Sequence, residues 1–272
     1  MNQSQPIVLG IASGKGGVGK TTLSVNLSVA LVQAGYKTML FDGDMGLANA
    51  QIALGQRVQH HFGHVLAGEK SLQEIVVKTP QGVWLIPGGS GVQELATLGT
   101  QATGAIIQAF SELEQEVDYL IVDGAAGIST QVVTFMIAAD RRLIVVKDEP
   151  SSIADAYGMI KVLAQEGVSE EIYLVPNMVP SQEAGQLLFK RLAEVVRKFL
   201  GITVGYLGSI SADELVLAAL RQQKTVVEHT PGTIASRDYR KLAEMLRTLP
   251  LPKPNDGTLG FFSDRPFKAR SA

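Results

Sequence analysis

Cysteine is absent from this chain of 272 residues, and that one absence removes disulfides, thiolate metal sites and cysteine-ligated iron–sulfur clusters. An excess of charge of either sign is missing too. The net charge of −2 provides no global attraction to nucleic acid or anionic lipid, and leaves room only for a local basic patch. No apolar run reaches the ~18 residues of a membrane span. Met1–Pro6 is short and polar and lacks the pattern of a signal peptide, so the expected location is cytoplasmic. Internal repeats and low-complexity stretches are also lacking. The remaining composition (46% hydrophobic, 18% charged, 6% aromatic) is that of a soluble globular protein, and the length suits one large α/β domain or two small ones.

What is present is concentrated near the N-terminus. Gly14-Lys15-Gly16-Gly17-Val18-Gly19-Lys20-Thr21 follows the apolar run Ile7–Ala12 and precedes a helix-period segment beginning at Thr21. Strand, glycine-rich loop and helix form the context in which G-x-x-x-x-G-K-[ST] reads as a phosphate-binding loop. The glycines let backbone N–H groups turn inward around a phosphate, and the helix N-terminus adds its positive dipole end. In that reading Lys20 reaches the β- and γ-phosphates of a nucleoside triphosphate, and the Thr21 hydroxyl ligates Mg²⁺.

Beyond the loop, apolar runs alternate with helical patterns, which predicts a mostly parallel, doubly wound sheet flanked by helices. Leu23, Leu27, Ala30, Leu31 and Ala34 share one helical face, and Gly35 supplies the C-terminal turn. Residues 37–41 form a strand that delivers Asp42-Gly43-Asp44 at its carboxyl end, where ligands of open parallel sheets bind. Residues 45–117 are less regular, with a strand at Trp84–Ile86 running into a glycine-rich loop at 87–91 and a helix from about 103 to 116. Tyr119–Val122 ends in Asp123, the form of a Walker B strand. Further strands are expected at 143–146, 172–175 (ending in Pro176-Asn177) and 204–207. A serine of Ser151-Ser152 is expected to cap the helix carrying Ala156 to Leu163. Helix 182–200 collects Leu187, Leu188, Leu192, Val195, Val196 and Phe199 on one face, and two more helices follow near 212–223 and 234–248. Composition breaks after the Leu249–Pro254 segment, so the expected division is a domain at 1–250 and a tail at 251–272.

Lys15, directly after the first glycine of the loop, resembles the deviant Walker A motif of the MinD/ParA family. The resemblance implies an ATP-dependent homodimer in which two subunits sandwich two nucleotides and each Lys15 crosses to its partner's phosphates. It implies that Gly14 to Thr22, including Thr22, cradle ATP or ADP, that Asp44 orients or activates the attacking water, and that Asp42 supports Mg²⁺ and its waters. Asp123 matches the Walker B aspartate, Asn177 matches the asparagine that reads the adenine edge, and Asp213 falls in the loop that closes over the base.

Other stretches are similar to the flagellar-number regulators of that family. They are Asp44–Ala50, Val65–Glu69, residues 86–91, Asp123–Ile128, Asp148–Tyr157, Pro176-Asn177-Met178 and Leu259-Gly260-Phe261-Phe262. That likeness implies a slow, partner-regulated ATPase acting with a flagellar master transcription activator and a signal-recognition-type GTPase, without sequence-specific nucleic acid. Placement at the inner membrane or cell pole is a further implication. Departures are Gly43 and Met45 in place of an alanine and a leucine, Gly124 in place of a threonine, and no proline in Ser209–Asp213. No N-terminal activation motif precedes the first strand, which counts against stimulation of the GTPase.

In MinD-type proteins a C-terminal amphipathic helix meets the membrane. Here Leu259, Phe261, Phe262 and Phe267 stand among Lys268 and Arg270, but Asp264 and Pro266 interrupt a helix. The tail therefore has three readings: transient membrane contact, packing of the phenylalanines back on the domain, or simple disorder. Two other functions fit the loop: a partition or cargo-positioning ATPase that binds DNA, and a small-molecule ligase of the dethiobiotin-synthetase kind.

Overall fold

The apolar runs become strands whose side chains alternate between two cores. In β1 (Ile7–Ser13), Val8 and Ala12 face one cluster while Ile7, Leu9 and Ile11 face the other. The same division holds for β2 (Thr38–Gly43), with Met39 and Phe41 opposite Leu40, and for β5 (Tyr119–Ala126), with Leu120 and Val122 opposite Tyr119 and Ile121. Burial on both faces is why these strands read as continuous hydrophobic runs. The computed structural model describes residues 5–89, 99–252 and 259–263.

With β3 (Val77–Lys78), β4 (Trp84–Ile86), β6 (Arg141–Val146), β7 (Ile172–Val179) and β8 (Gly205–Tyr206), the sheet runs β3-β4-β2-β5-β1-β6-β7-β8. β9 (Ile210–Ser211) pairs with the far end of β7, Asn177 opposite Ile210. All pairings are parallel except β3 with β4 at the edge. One face is covered by α1 (Lys20–Gln33), α2 (Ala50–Ala53), α9 (Glu214–Arg221), α10 (Val226–His229) and α11 (Ile234–Thr248). The other face carries α3 (Phe62–Leu66), α4 (Leu72–Ile75), α5 (Thr100–Ala109), α6 (Thr130–Ala138), α7 (Pro150–Gln165) and α8 (Gln182–Leu200). The chain is thus a mostly parallel, doubly wound α/β protein, with β1 at the switch point between β5 and β6. Among the described residues no helix is long and apolar enough to cross a membrane.

Several local expectations are corrected. α6 was not anticipated, because an apolar Thr130–Ala138 lacks a polar face; it is buried almost all round and begins at the Ser129 cap. The helix expected over 103–116 stops at Ala109, passes into a 3₁₀ turn at Phe110–Glu112 and then becomes extended. Gly205–Tyr206 is followed by one more strand, β9, too short to show a period. α7 is not capped by a serine: Glu149 occupies the cap position with Pro150 in the first turn, and Ser152 Oγ instead accepts from the Lys147 N–H at 3.0 Å.

The apolar set on α8 divides. Leu188, Leu192 and Val196 are buried, whereas Leu187, Val195 and Phe199 are exposed. In the tail, Phe261 and Phe262 are fully buried, with the Phe261 ring 4.9 Å from Phe110 and edge-on to it, and 6.2 Å from Phe135. The described part of the tail therefore packs back on the domain. Ser90 and Gly91 of the glycine-rich loop, and Asp264, Pro266, Phe267, Lys268 and Arg270, lie outside the described residues.

Candidate functional site

The carboxyl ends of β1, β2, β5 and β7 bring the expected residues to one place. The loop from Gly14 to Gly19 joins β1 to α1, with Gly17 at φ +77° and Gly19 at φ +91°, a left-handed region that side chains with a Cβ rarely adopt. Two glycines are also fixed by close approach. A Cβ on Gly14 would lie 2.4 Å from the Asp155 carbonyl of α7, and one on Gly19 would lie 2.4 Å from Asn177 Nδ2. Asn177 is buried and donates from Nδ2 to the Val18 carbonyl at 2.7 Å, which ties the end of β7 to the loop and leaves its Oδ1 to accept. Beside it, Met178 is half exposed and held at φ +55°, with its Cε near Gly19.

Lys20 is buried, and its Nζ donates to Ser13 Oγ at 2.9 Å; Ser13 Oγ in turn donates to the Lys15 carbonyl at 2.6 Å. Burial lowers the pKa of Lys20, and the carboxylates of Asp123 and Asp44 pull it back up. Asp42 and Asp123 face each other across the β2–β5 pairing, both 1% exposed. Asp123 Oδ1 accepts from Ser24 Oγ at 2.8 Å, while Oδ2 is buried without a hydrogen-bond partner; the neighbouring Thr21 and Ser24 hydroxyls offset part of the rise that burial gives the Asp123 carboxyl. Burial pushes both carboxyls above their ordinary range, and the Asp123 charge adds to the rise at Asp42.

The chemistry of this donor set fits Mg²⁺ bound with a nucleotide. Hydroxyl and carboxylate oxygens are its ligands, and the orphaned Oδ2 beside Thr21 is an acceptor that a cation satisfies. Asp42 is engaged differently. Its Oδ2 accepts from the Ala50 N–H at 2.8 Å and its Oδ1 from the Asp44 N–H at 3.3 Å, so it ties both ends of the segment 44–50 to the end of β2. Asp44 is half exposed, with Oδ1 accepting from the Leu47 N–H at 3.0 Å.

Two expected residues sit differently from the rest. Asp213 caps α9: Oδ1 accepts from the Leu215 N–H at 3.0 Å and Oδ2 from the Ala235 N–H at 3.3 Å, so both carboxylate oxygens serve backbone. Lys15 leans away from the loop, its Nζ donating to Ser151 Oγ at 2.9 Å and pairing with Glu149 at 3.5 Å. Lys147 at 2.7 Å, and secondly Lys15, hold the Glu149 carboxyl below the usual range. Sequence reasoning missed Ser13, Ser24 and the Glu149–Ser151 pair. The signal for Ser24 was its place one turn after Lys20 on the loop helix; Glu149 and Ser151 stand at a helix start and in the family-like stretch Asp148–Tyr157, neither of which marks them as partners of Lys15.

Strand, glycine-rich loop, loop lysine and paired aspartates on a doubly wound sheet define a P-loop nucleotide-binding protein. A family model described as an AAA domain matches residues 7–171. The chain is 39% identical over 266 residues to Antiactivator FleN of Pseudomonas aeruginosa, covering 97% of this chain and 95% of that protein. It is 34% identical over 267 residues to Flagellum site-determining protein YlxH of Helicobacter pylori, covering 96% and 90% respectively. Among solved structures, the septum site-determining protein MinD of Pyrococcus horikoshii, complexed with Mg-ADP, superposes with a TM-score of 0.75 at 25% identity, covering 90% of this chain and 97% of that one. The chain belongs to the MinD/ParA family of P-loop ATPases.

Proposed function

We propose that this chain is an ATP-dependent dimerisation switch that regulates flagellar number and placement, with a slow, Mg²⁺-dependent ATPase as its timer. The observation that carries the reading is Lys15, an extra cation directly after the first glycine of the phosphate loop, held at the surface where a second subunit can take it up. Lys20 and the inward N–H groups of Gly14–Thr22 bind the phosphates, Thr21 and Asp123 hold Mg²⁺, and Asn177 meets the adenine. Asp44 orients the attacking water, and Asp42 keeps Asp44 and its loop in place. Bound Mg²⁺ supplies charge neutralisation at the transferring phosphoryl group. Lys15 from the partner adds positive charge where negative charge develops, in the manner of an arginine finger in trans. Hydrolysis then removes the contact that holds the dimer together.

The names of the relatives, an antiactivator and a flagellum site-determining protein, support restraint of a flagellar master transcription activator as the output. A signal-recognition-type GTPase is the second partner of this reading, the cytoplasm is its location, and residues 1–250 are the ATPase domain. The test is a flagellar count by electron microscopy in the parent strain, a strain lacking this chain and one carrying Lys20→Ala. Extra flagella in both altered strains are expected; unchanged counts would sink the flagellar reading and leave the ATPase standing.

A further inference from the structure

We propose that Ser24 is a positioning residue for the cation: its hydroxyl holds one oxygen of the Asp123 carboxylate and leaves the other for Mg²⁺. The inference rests on the reading of Thr21 and Asp123 as the protein ligands of that cation. Ser24 lies one turn beyond Lys20 on α1 and is fully buried, as Asp123 is on β5. Its Oγ stands 2.8 Å from Asp123 Oδ1 and 3.0 Å from the Lys20 carbonyl. The hydroxyl has a single hydrogen, so these two acceptors compete for it. An ionised carboxylate takes it, because a charge-assisted hydrogen bond is shorter and stronger than one to a neutral carbonyl. The bond is thus made in the form of Asp123 that a cation needs.

A carboxylate turns about its Cβ–Cγ bond in a broad, roughly two-fold well, so rotamer preference alone does not fix which oxygen meets which neighbour. Ser24 fixes it from outside by tying Oδ1, while Oδ2 stays without a hydrogen-bond partner. Asp42, the other buried carboxylate, is held by the backbone N–H groups of Asp44 and Ala50, which no side-chain substitution deletes. The hold of Ser24 on Asp123 depends on one oxygen atom and can be removed without touching a ligand. Ser24 is itself set by the helix, its carbonyl accepting from Ser28 Oγ at 2.7 Å. Partners that orient a metal-binding carboxylate are worth about 10–100-fold in metal affinity.

The experiment compares the full chain with Ser24→Ala, Asp123→Asn, the double variant and Ser28→Ala, whose lost hydroxyl bonds the Ser24 carbonyl rather than Asp123. Each is titrated with ADP in the presence of EDTA; the ADP-loaded chain, freed of excess nucleotide, is then titrated with Mg²⁺ in a calorimeter. Ser24→Ala puts the best helix former at a helical position, and should weaken Mg²⁺ binding by about tenfold or more while metal-free ADP affinity stays parental. Asp123→Asn should lose more, and Ser24→Ala added to it should cost nothing further, since Ser24 acts through the carboxylate. Ser24→Cys, with similar size and a weak donor, should fall between parent and Ser24→Ala. Ser28→Ala should bind Mg²⁺ as the parent does. Parental Mg²⁺ affinity in Ser24→Ala, with Asp123→Asn impaired, overturns the inference and leaves the metal assignment standing. A fall in metal-free ADP affinity as large as the fall for Mg²⁺, or an equal Mg²⁺ loss in Ser28→Ala, also overturns it, by showing a general disturbance of α1. Parental Mg²⁺ affinity in Asp123→Asn sinks the metal assignment itself, and the inference with it.

Discussion

At the scale of single residues, Lys20, Asp44 and the Asp42–Asp123 pair have roles that mutation can tell apart. Lys20→Ala removes a buried cation whose ammonium is already at the loop, so ATP and ADP affinity should fall by at least about tenfold in a direct titration. Asp44→Ala should leave nucleotide binding near the parental level and reduce turnover by about a hundredfold, the size expected for losing a group that positions the nucleophile; turnover at the parental rate would remove Asp44 from the mechanism. The coupled pair Asp42 and Asp123 gives a pH signature. Both carboxyls lie above the ordinary range in the folded chain, chiefly because burial disfavours their charge, so the folded state keeps protons that the unfolded chain has lost. Their contribution to stability is therefore largest at the acid end and is lost as pH rises from about 4 upward. A cation on Asp123 relieves that loss, so the extra thermal stabilisation by Mg-ADP over ADP alone should grow as pH rises from about 4 to about 6, level off above that, and vanish in Asp123→Asn. Flat behaviour across that range in the parent would contradict the assignment of Asp123 to the metal.

At the scale of elements, what was legible followed from how much of each element's environment is local. Strand β1, the loop and α1 were readable because the turn demands glycines at Gly17 and Gly19 and the strand is apolar on both faces. The helix 182–200 was placed to the residue because Ser181 caps it and Gly201, at φ +68°, ends it. Which half of its apolar set is buried was not legible, since that depends on how the helix sits on the sheet. α6 was hidden because burial on all sides erases the polar face from which a helix is read. Asp213 sits in the expected loop, yet its carboxylate caps α9; one carboxylate before a helix suits a cap and a ligand contact equally well in sequence. The tail makes a further prediction at this scale. Phe261 contributes a fully buried ring against Phe110 and Phe135, so Phe261→Ala should cost about 3–5 kcal/mol of unfolding free energy, measurable by denaturant titration. A loss below about 1 kcal/mol would mean that the segment is not part of the core.

At the scale of the whole molecule, Lys15 is exposed at the phosphate loop, and the proposed function requires a second subunit to take it up. Within one chain Lys15 is held by Ser151 and Glu149 at the start of α7, an exposed contact that a stronger one across a dimer can replace. Glu149→Gln should therefore favour the dimer by a few-fold at most, read from the concentration at which mass increases. The most direct test of the central claim is the molar mass of the Asp44→Ala protein by light scattering, with Mg-ATP and then with Mg-ADP. The account predicts twice the 29.0 kDa of one chain with Mg-ATP and a single chain with Mg-ADP, with the doubling lost in Lys15→Ala/Asp44→Ala. Equal masses with the two nucleotides would contradict it.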